Sequence, residues 1–225
     1  MNDDKKRYNP NIPHADMRQH DESLLNLPPL TADNPMDLFT QWFDLAKNSE
    51  DSDANAMSLS TVDTDGMPNS RIVLLKDYNQ NGFSFFTNHH SAKGQELKYC
   101  PKAALLFHWK SLFKQIRIRG IVTPVIDADA DRYFASRDRQ SQIGAWVSLQ
   151  SEYLSSRRDM MQRYDDFNQK FENQDIPRPP HWGGFILNPL SIEFWRNGAY
   201  RLHDRLVFFK NDILDTVWQQ QLIYP

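Results

Sequence analysis

A single cysteine, Cys100, stands in 225 residues, which excludes an intramolecular disulfide. With no C-x-x-C or H-E-x-x-H spacing either, the sequence offers no metal cage, and Cys100 reads as an ordinary buried or half-buried thiol. Positive charge is also short: 26 Lys and Arg against 29 Asp and Glu leave a net charge of -3 and a pI near 6.1. No global basic field is available to hold nucleic acid or an acidic membrane, so any anion site has to be local. The glycine-rich dinucleotide and P-loop fingerprints are missing, as is a G-x-S-x-G elbow. Nicotinamide Rossmann enzymes, P-loop NTPases and covalent serine hydrolases therefore leave the field. The stretch MNDDKKRYNPNIPHAD has no apolar h-region, and no apolar run approaches bilayer-spanning length. The expectation is a cytoplasmic protein without a membrane or nucleic-acid partner.

What is abundant is aromatic: 12% of residues, including six Trp and fourteen Phe, enough for one large core and a pocket. A mean hydropathy of -0.69 leaves much polar surface. Residues 1–34 are polar and broken by Pro10, Pro13, Pro28 and Pro29, and read as a flexible tail or lid. Residues 35–225 read as a single domain. It opens with a helix over NPMDLFTQWFDLAKN, capped by Asp33 or Asn34, with Leu38, Phe39, Trp42 and Phe43 on one stripe. Strands follow at AMSLSTVD, RIVLLKDY and FSFFTN, separated by the turns DTDGMP and NQNG. A short helix at SAKGQELKYC stops at Pro101, and further strands are expected at AALLFHW, KQIRIRGIVTPV, GGFILN, SIEFWRN and RLVFFK. Helices at DADADRYFASR and SEYLSSRRDMMQRYDDFNQKFE interrupt them. The fold class is β-dominated α+β, with antiparallel strands closing toward a barrel and flanking helices.

Several patterns could carry chemistry. In RLHDRLVFF, strand alternation would send Arg201, His203 and Arg205 to one face, which suits either a charged solvated edge or an anion-binding wall. In KQIRIRG the same alternation sets Gln115, Arg117 and Arg119 opposite Ile116 and Ile118. Tyr133, Arg137 and Ser141 recur every four residues. If one helix persists that far, a phenol, a guanidinium and a hydroxyl share a stripe and could donate to a phosphate; a surface Tyr–Arg pair with an unrelated Ser is the alternative. Arg71 and Lys76 are five apart, so a regular strand sends them to opposite faces, and both reach one ligand only at a bulge or strand end. Thr87, Ser91 and Lys93 surround a strand-to-helix junction, where backbone N–H groups favour an anion. The adjacent His89 and His90 receive no role.

Taken together and in order, RIVLLKDY, FFTNHHSAKG, SRDRQSQIGAWVSLQS, HWGGFILNPLSIEFW and RLHDR resemble the pyridoxine 5′-phosphate oxidase family from about Pro35 to the C-terminus. The resemblance implies an FMN-binding split β-barrel that works as a homodimer, with FMN at the subunit interface and each site built from both chains. It implies oxidation of pyridoxine or pyridoxamine 5′-phosphate to pyridoxal 5′-phosphate, with dioxygen as acceptor and hydrogen peroxide released. Motif by motif, Arg71, Thr87, Lys93 and Ser151 would hold the FMN phosphate end, with Lys76 and Phe86 also beside FMN. Gln115, Gln150, Trp195 and Arg205 would surround the flavin and its chain. Lys76, Tyr133, Arg137 and Ser141 would grip the substrate phosphate, and Arg201 and His203 would contact the substrate as the catalytic pair. No metal is implied.

Three positions depart from the family pattern. Ala92 stands in Ser91-Ala92-Lys93 where an Arg is common, Leu222 of LIYP replaces a C-terminal Arg, and Asp21 of RQHD replaces a Tyr in a substrate-covering segment. A split-barrel flavoprotein with another substrate, or a non-catalytic FMN or pyridoxal phosphate carrier, would share most of these residues.

Overall fold

A computed structural model describes residues 21–225. Most of the expected 1–34 tail, including Arg18 of RQHD, lies outside the described residues. Within that expected tail, Glu22–Asn26 forms a 3₁₀ turn capped by Asp21, and Leu30 is buried in the core. The first helix, α1 (Pro35–Ser49), starts where the sequence puts it. Asn34 accepts from the Met36 N–H at 2.7 Å, and Pro35 fills the first helical position, where its missing N–H costs nothing.

Among the described residues, nine strands form one antiparallel sheet: β1 (Ala56–Val62), β2 (Pro68–Leu74), β3 (Asp77–Asn79), β4 (Gly82–Asn88), β5 (Lys102–Trp109), β6 (Lys114–Pro124), β7 (Trp182–Arg196), β8 (Asp204–Phe209) and β9 (Gln219–Leu222). The main path runs β2-β1-β5-β6-β7-β4-β3, and β8 and β9 branch from β7. The sheet curls into a split β-barrel, and the apolar face of α1 packs into the same core. Phe39 is fully buried and meets Tyr78, Phe83 and Phe107 edge-on at centroid distances of 4.8, 4.9 and 5.4 Å. Burying such a ring contributes about 2–3 kcal/mol.

Four further helices flank the barrel: α2 (Ala92–Tyr99), α3 (Asp127–Ala135), α4 (Arg139–Val147) and α5 (Arg157–Lys170). They differ from the sequence expectation in two places. The stripe Tyr133, Arg137, Ser141 is not on one helix, because Asp138 caps a new one by accepting from the Ser141 N–H at 2.9 Å. The fifth helix begins only at Arg157, since Ser151 is left-handed (φ 73°) and Ser156 is the cap.

The strands expected separately at GGFILN and SIEFWRN are one 15-residue strand, β7. Its interior Pro189 sits next to an irregularity: the β6–β7 register shifts between Arg119 and Gly120, leaving Leu190 without a β6 partner, and bulges are where a strand tolerates proline. The strand expected at RLVFFK is β8, starting at Asp204, so the alternation read back to Arg201 leaves the strand. Tyr200 and Arg201 are left-handed (φ 51° and 65°), so alternation holds for His203, which shares the Trp195 face with Arg205, and breaks before Arg201. Gly198 lets this turn close: a Cβ there would lie 2.0 Å from the Leu202 carbonyl oxygen.

Candidate functional site

Two groups of candidate residues emerge, on different parts of the chain. The first lines a cavity of about 910 Å³ between β2, β4 and the helices α2 to α4. Arg71, Lys76, Phe86, Thr87, Lys93, Tyr133, Arg137, Ser141 and Gln150 all face it. Arg71 and Lys76 share the wall despite their odd spacing because the chain leaves β2 at Leu74. The Lys76 N–H then pairs with the Ser84 carbonyl at 2.9 Å, which resets the alternation. Tyr133, Arg137 and Ser141 likewise meet here across the α3–α4 break.

At one end of the cavity, donors converge. The Gln150 side-chain carbonyl accepts from Lys93 Nζ at 2.9 Å and from the Thr87 hydroxyl at 3.2 Å. Arg71 stands beside them. Burial, and then the nearby Arg71 charge, push the Lys93 ammonium below its ordinary value, as expected of a cation held without a full counter-charge. Lys and Thr donors already gripping one oxygen, with an Arg beside them in the same wall, fit a phosphate monoester. Ala92, one residue before Lys93, is exposed on the first turn of α2 and adds no cation. Ser151 follows Gln150 in the chain but is not among the lining residues.

Aromatic rings form the middle of the cavity. Phe86 stacks on Tyr133 at 4.1 Å and on Trp182 at 5.3 Å. Gly184 makes room for the Phe86 ring, since a Cβ there would come within 2.7 Å of it. Cations lie against these rings: the Arg137 guanidinium sits 4.9 Å over Trp182, and Lys76 Nζ lies 5.9 Å from the Tyr133 ring centre. Arg137 Nη1 is buried with no hydrogen-bond partner among the described residues, and burial lowers the guanidinium pKa. A half-buried guanidinium with one unbonded nitrogen in a cavity wall is a ready anion contact.

The second group lies on the outer face of β6, β7 and β8, opposite the buried Ile116, Phe194 and Leu206. Gln115, Trp195 and Arg205 are neighbours across the three strands. The His203 ring packs 4.6 Å from Trp195, and its Nδ1 accepts the Gly198 N–H at 3.2 Å. Burial, then the charges of Arg201 and Arg205, push the His203 pKa down, with Asp204 opposing. The ring is therefore neutral near pH 7, with its proton on Nε2. Arg201 is exposed on the left-handed turn. None of these five residues lines the first cavity.

Sequence reasoning missed three residues that shape these groups. Trp182 forms part of the cavity wall, and nothing in its spacing marked it. Glu96 and Glu193 are buried carboxylates that anchor Arg71 and Arg205 at 3.0 and 2.8 Å. Glu193 was readable: in SIEFWR it alternates with Ile192 and Phe194 onto the face of Trp195.

Comparison with known proteins gives a consistent result. Residues 49–169 match the family model described as pyridoxamine 5′-phosphate oxidase, and residues 182–225 match the pyridoxine 5′-phosphate oxidase C-terminal dimerisation region. A pyridoxine/pyridoxamine 5′-phosphate oxidase of Caulobacter vibrioides is 54% identical over 198 residues, covering 88% of each chain. One from Bartonella quintana is 50% identical, covering 85% of this chain and 92% of its own. Among solved structures, PhzG from Burkholderia lata 383, in complex with tetrahydrophenazine-1-carboxylic acid, superposes with a TM-score of 0.80. It has 26% identity, over 90% of this chain and 96% of its own. A pyridoxamine 5′-phosphate oxidase-related, FMN-binding protein of Nostoc punctiforme shares the fold, with a TM-score of 0.69 at 15% identity, over 85% of this chain and 98% of its own.

Proposed function

The chain belongs to the pyridoxine/pyridoxamine 5′-phosphate oxidase family, and from that premise we propose that it oxidises pyridoxine and pyridoxamine 5′-phosphates to pyridoxal 5′-phosphate. FMN is the cofactor, dioxygen the acceptor and hydrogen peroxide the by-product. The observation that carries this reading is one aromatic-walled cavity lined by two cationic clusters, Arg71 with Lys93 and Lys76 with Arg137. It suits two phosphorylated aromatic molecules, a cofactor and a substrate, brought together by their rings.

Arg71, Thr87 and Lys93 would hold the FMN phosphate, with Gln150 turning from their internal partner into a cofactor contact. Lys76, Tyr133, Arg137 and Ser141 would take the substrate phosphate, where the unpaired Arg137 Nη1 gains a partner. Phe86 and Ser151 are proposed as further cofactor contacts. Bound FMN would supply the two-electron acceptor chemistry that no side chain provides.

The second residue group completes the site from the partner of a homodimer, an arrangement supported by the match of residues 182–225 to a dimerisation region. Gln115, Trp195 and Arg205 would border the flavin. Arg201 orients the reacting substituent of the substrate. His203, neutral and protonated at Nε2, donates a hydrogen bond into the pocket while Nδ1 fixes the turn. Anchoring both phosphates and both rings removes most of the orientational freedom that would otherwise oppose the reaction.

No helix among the described residues is long and apolar enough to cross a membrane; a cytoplasmic setting is part of the proposal and is tested by cell fractionation. The activity is tested by supplying the purified, FMN-loaded protein with pyridoxine 5′-phosphate in air and following pyridoxal 5′-phosphate absorbance and peroxide. Stoichiometric formation of both is expected. FMN bound without turnover would replace this reading with a different substrate or a carrier.

A further inference from the structure

Glu96 is a buried carboxylate on the second turn of α2, three residues after Lys93 and on the same helix face. It ties the helix to two strands. Thr61 of β1 donates to Oε2, Asn69 of β2 donates to Oε1 at 2.9 Å, and Arg71 Nη2 donates to Oε2 at 3.0 Å. Arg71 Nη1 is spent on the Leu59 carbonyl at 3.2 Å and on the Thr61 hydroxyl. Three of the five guanidinium donors are thus held by fixed acceptors, and the Nε–H and one Nη2–H are left for a ligand. These bonds, chiefly those from Thr61 and Asn69 and the charge of Arg71, outweigh burial and hold the Glu96 carboxyl below its ordinary range, so it is charged at neutral pH.

We propose that Glu96 is a positioning residue for cofactor binding: it locks the Arg71 guanidinium so that its free edge faces the phosphate of FMN. The inference rests on the reading of Arg71 and Lys93 as the FMN phosphate cradle. It carries particular weight in this chain because Ala92 adds no cation, so the cradle works with two, and the aim of each matters more. The sign of the effect separates this from simple charge balance. A negative charge beside an anion site weakens anion binding by Coulomb's law, so a mere counter-charge would be better removed. A lock would not.

The test is flavin binding by the full-length apoprotein, read by flavin fluorescence with FMN and, in parallel, with riboflavin, which lacks the phosphate. For Glu96→Gln the expectation is about tenfold weaker FMN binding with riboflavin binding unchanged, the size of one charge-assisted hydrogen bond misdirected. In an Arg71→Ala background Glu96→Gln should add nothing, because the residue it acts through is gone. Tighter or unchanged FMN binding, or equal loss of FMN and riboflavin, overturns the proposal. If Glu96→Gln does not fold, Asn69→Ala, at an exposed position, should weaken FMN selectively in the same sense, and no selective change there overturns the proposal too. Arg71→Ala is the control for the underlying reading: if it leaves the FMN-to-riboflavin preference intact, the cradle is elsewhere and both fall. If it shifts that preference while Glu96→Gln and Asn69→Ala do not, only the role of Glu96 is lost.

Discussion

Arg205 Nε donates to Glu193 Oε1 at 2.8 Å, and the same buried carboxylate accepts from Arg117 through its other oxygen. Arg205 also reaches the Tyr224 carbonyl at 3.0 Å, so one carboxylate on β7 fixes a proposed flavin contact on β8 and the C-terminal segment beyond it. Removing Glu193 strands two cations. Glu193→Ala should destabilise the protein by about 2–3 kcal/mol, at the lower end for a broken buried pair because both arginines keep some solvent contact. Urea denaturation at constant protein concentration measures it, and a midpoint equal to wild type would show that the pair is idle.

The turn that carries Arg201 should behave as a device for orientation. Arg201→Gln is expected to lower turnover about a hundredfold, the scale of misplacing a reacting group, while FMN retention stays near wild type. Gly198→Ala, which drives a methyl into the Leu202 carbonyl, should give the same pattern more weakly. Steady-state kinetics beside bound-flavin absorbance separate the two quantities, and parallel losses would remove Arg201 from the catalytic role.

How far this was legible in sequence depended on whether a residue obeyed its strand. Gln115 could be set opposite Ile116 and Ile118 because β6 is regular there, and both isoleucines are indeed buried; its grouping with Trp195 and Arg205 came only from the family resemblance, since cross-strand register is not written in one strand. The position of Arg201 could not be read, because Tyr200 and Arg201 are two consecutive non-glycine residues in left-handed backbone, which carries no reliable local signature. The Arg71–Lys76 wall depended on a strand exit, and the Tyr133–Arg137–Ser141 set on a helix break, both decided by long-range pairing and by one capping aspartate. The strand β9, QQQL, has the composition of a loop and exists because it pairs with β8.

Arg137 should show a trade between stability and binding. Its buried Nη1 has no acceptor among the described residues, so the ligand-free protein carries a desolvation cost that the substrate phosphate relieves. Arg137→Met is expected to leave the melting temperature of the substrate-free protein equal or higher while raising the KM for pyridoxine 5′-phosphate at least about tenfold. A lower melting temperature with an unchanged KM would assign the residue to the fold instead.

Acid should act through His203. Its pKa is lowered in the folded protein, chiefly by burial and then by Arg201 and Arg205, so the folded state binds its proton less readily than the unfolded chain. The stability it contributes is complete above the ordinary value of 6.5 and is lost as pH falls from there through the folded pKa. Protonation also removes the Nδ1 acceptor for the Gly198 N–H and loosens the Arg201 turn. Turnover should therefore decline on the acid side below about pH 6.5, and His203→Asn should flatten that limb at a lower plateau. An unchanged limb in the variant would place the titration elsewhere.

The separation of the two residue groups makes the strongest demand on the assembly. Arg137 faces the cavity and Arg201 does not, so a site built by both chains needs Arg137 from one protomer and Arg201 from the other. Assayed at pyridoxine 5′-phosphate concentrations well below the KM of the Arg137 variant, Arg137→Ala and Arg201→Ala homodimers should each retain little activity. After mild unfolding and refolding of an equal mixture, half the dimers are hybrids, and each hybrid pairs one doubly damaged site with one intact site. About a quarter of wild-type activity should return, by the statistics of a twofold dimer. Measuring activity before and after exchange decides it: no recovery, with hybrids demonstrated by native mass spectrometry, would mean that each chain builds its site alone and that the turn bearing Arg201 reaches its own cavity.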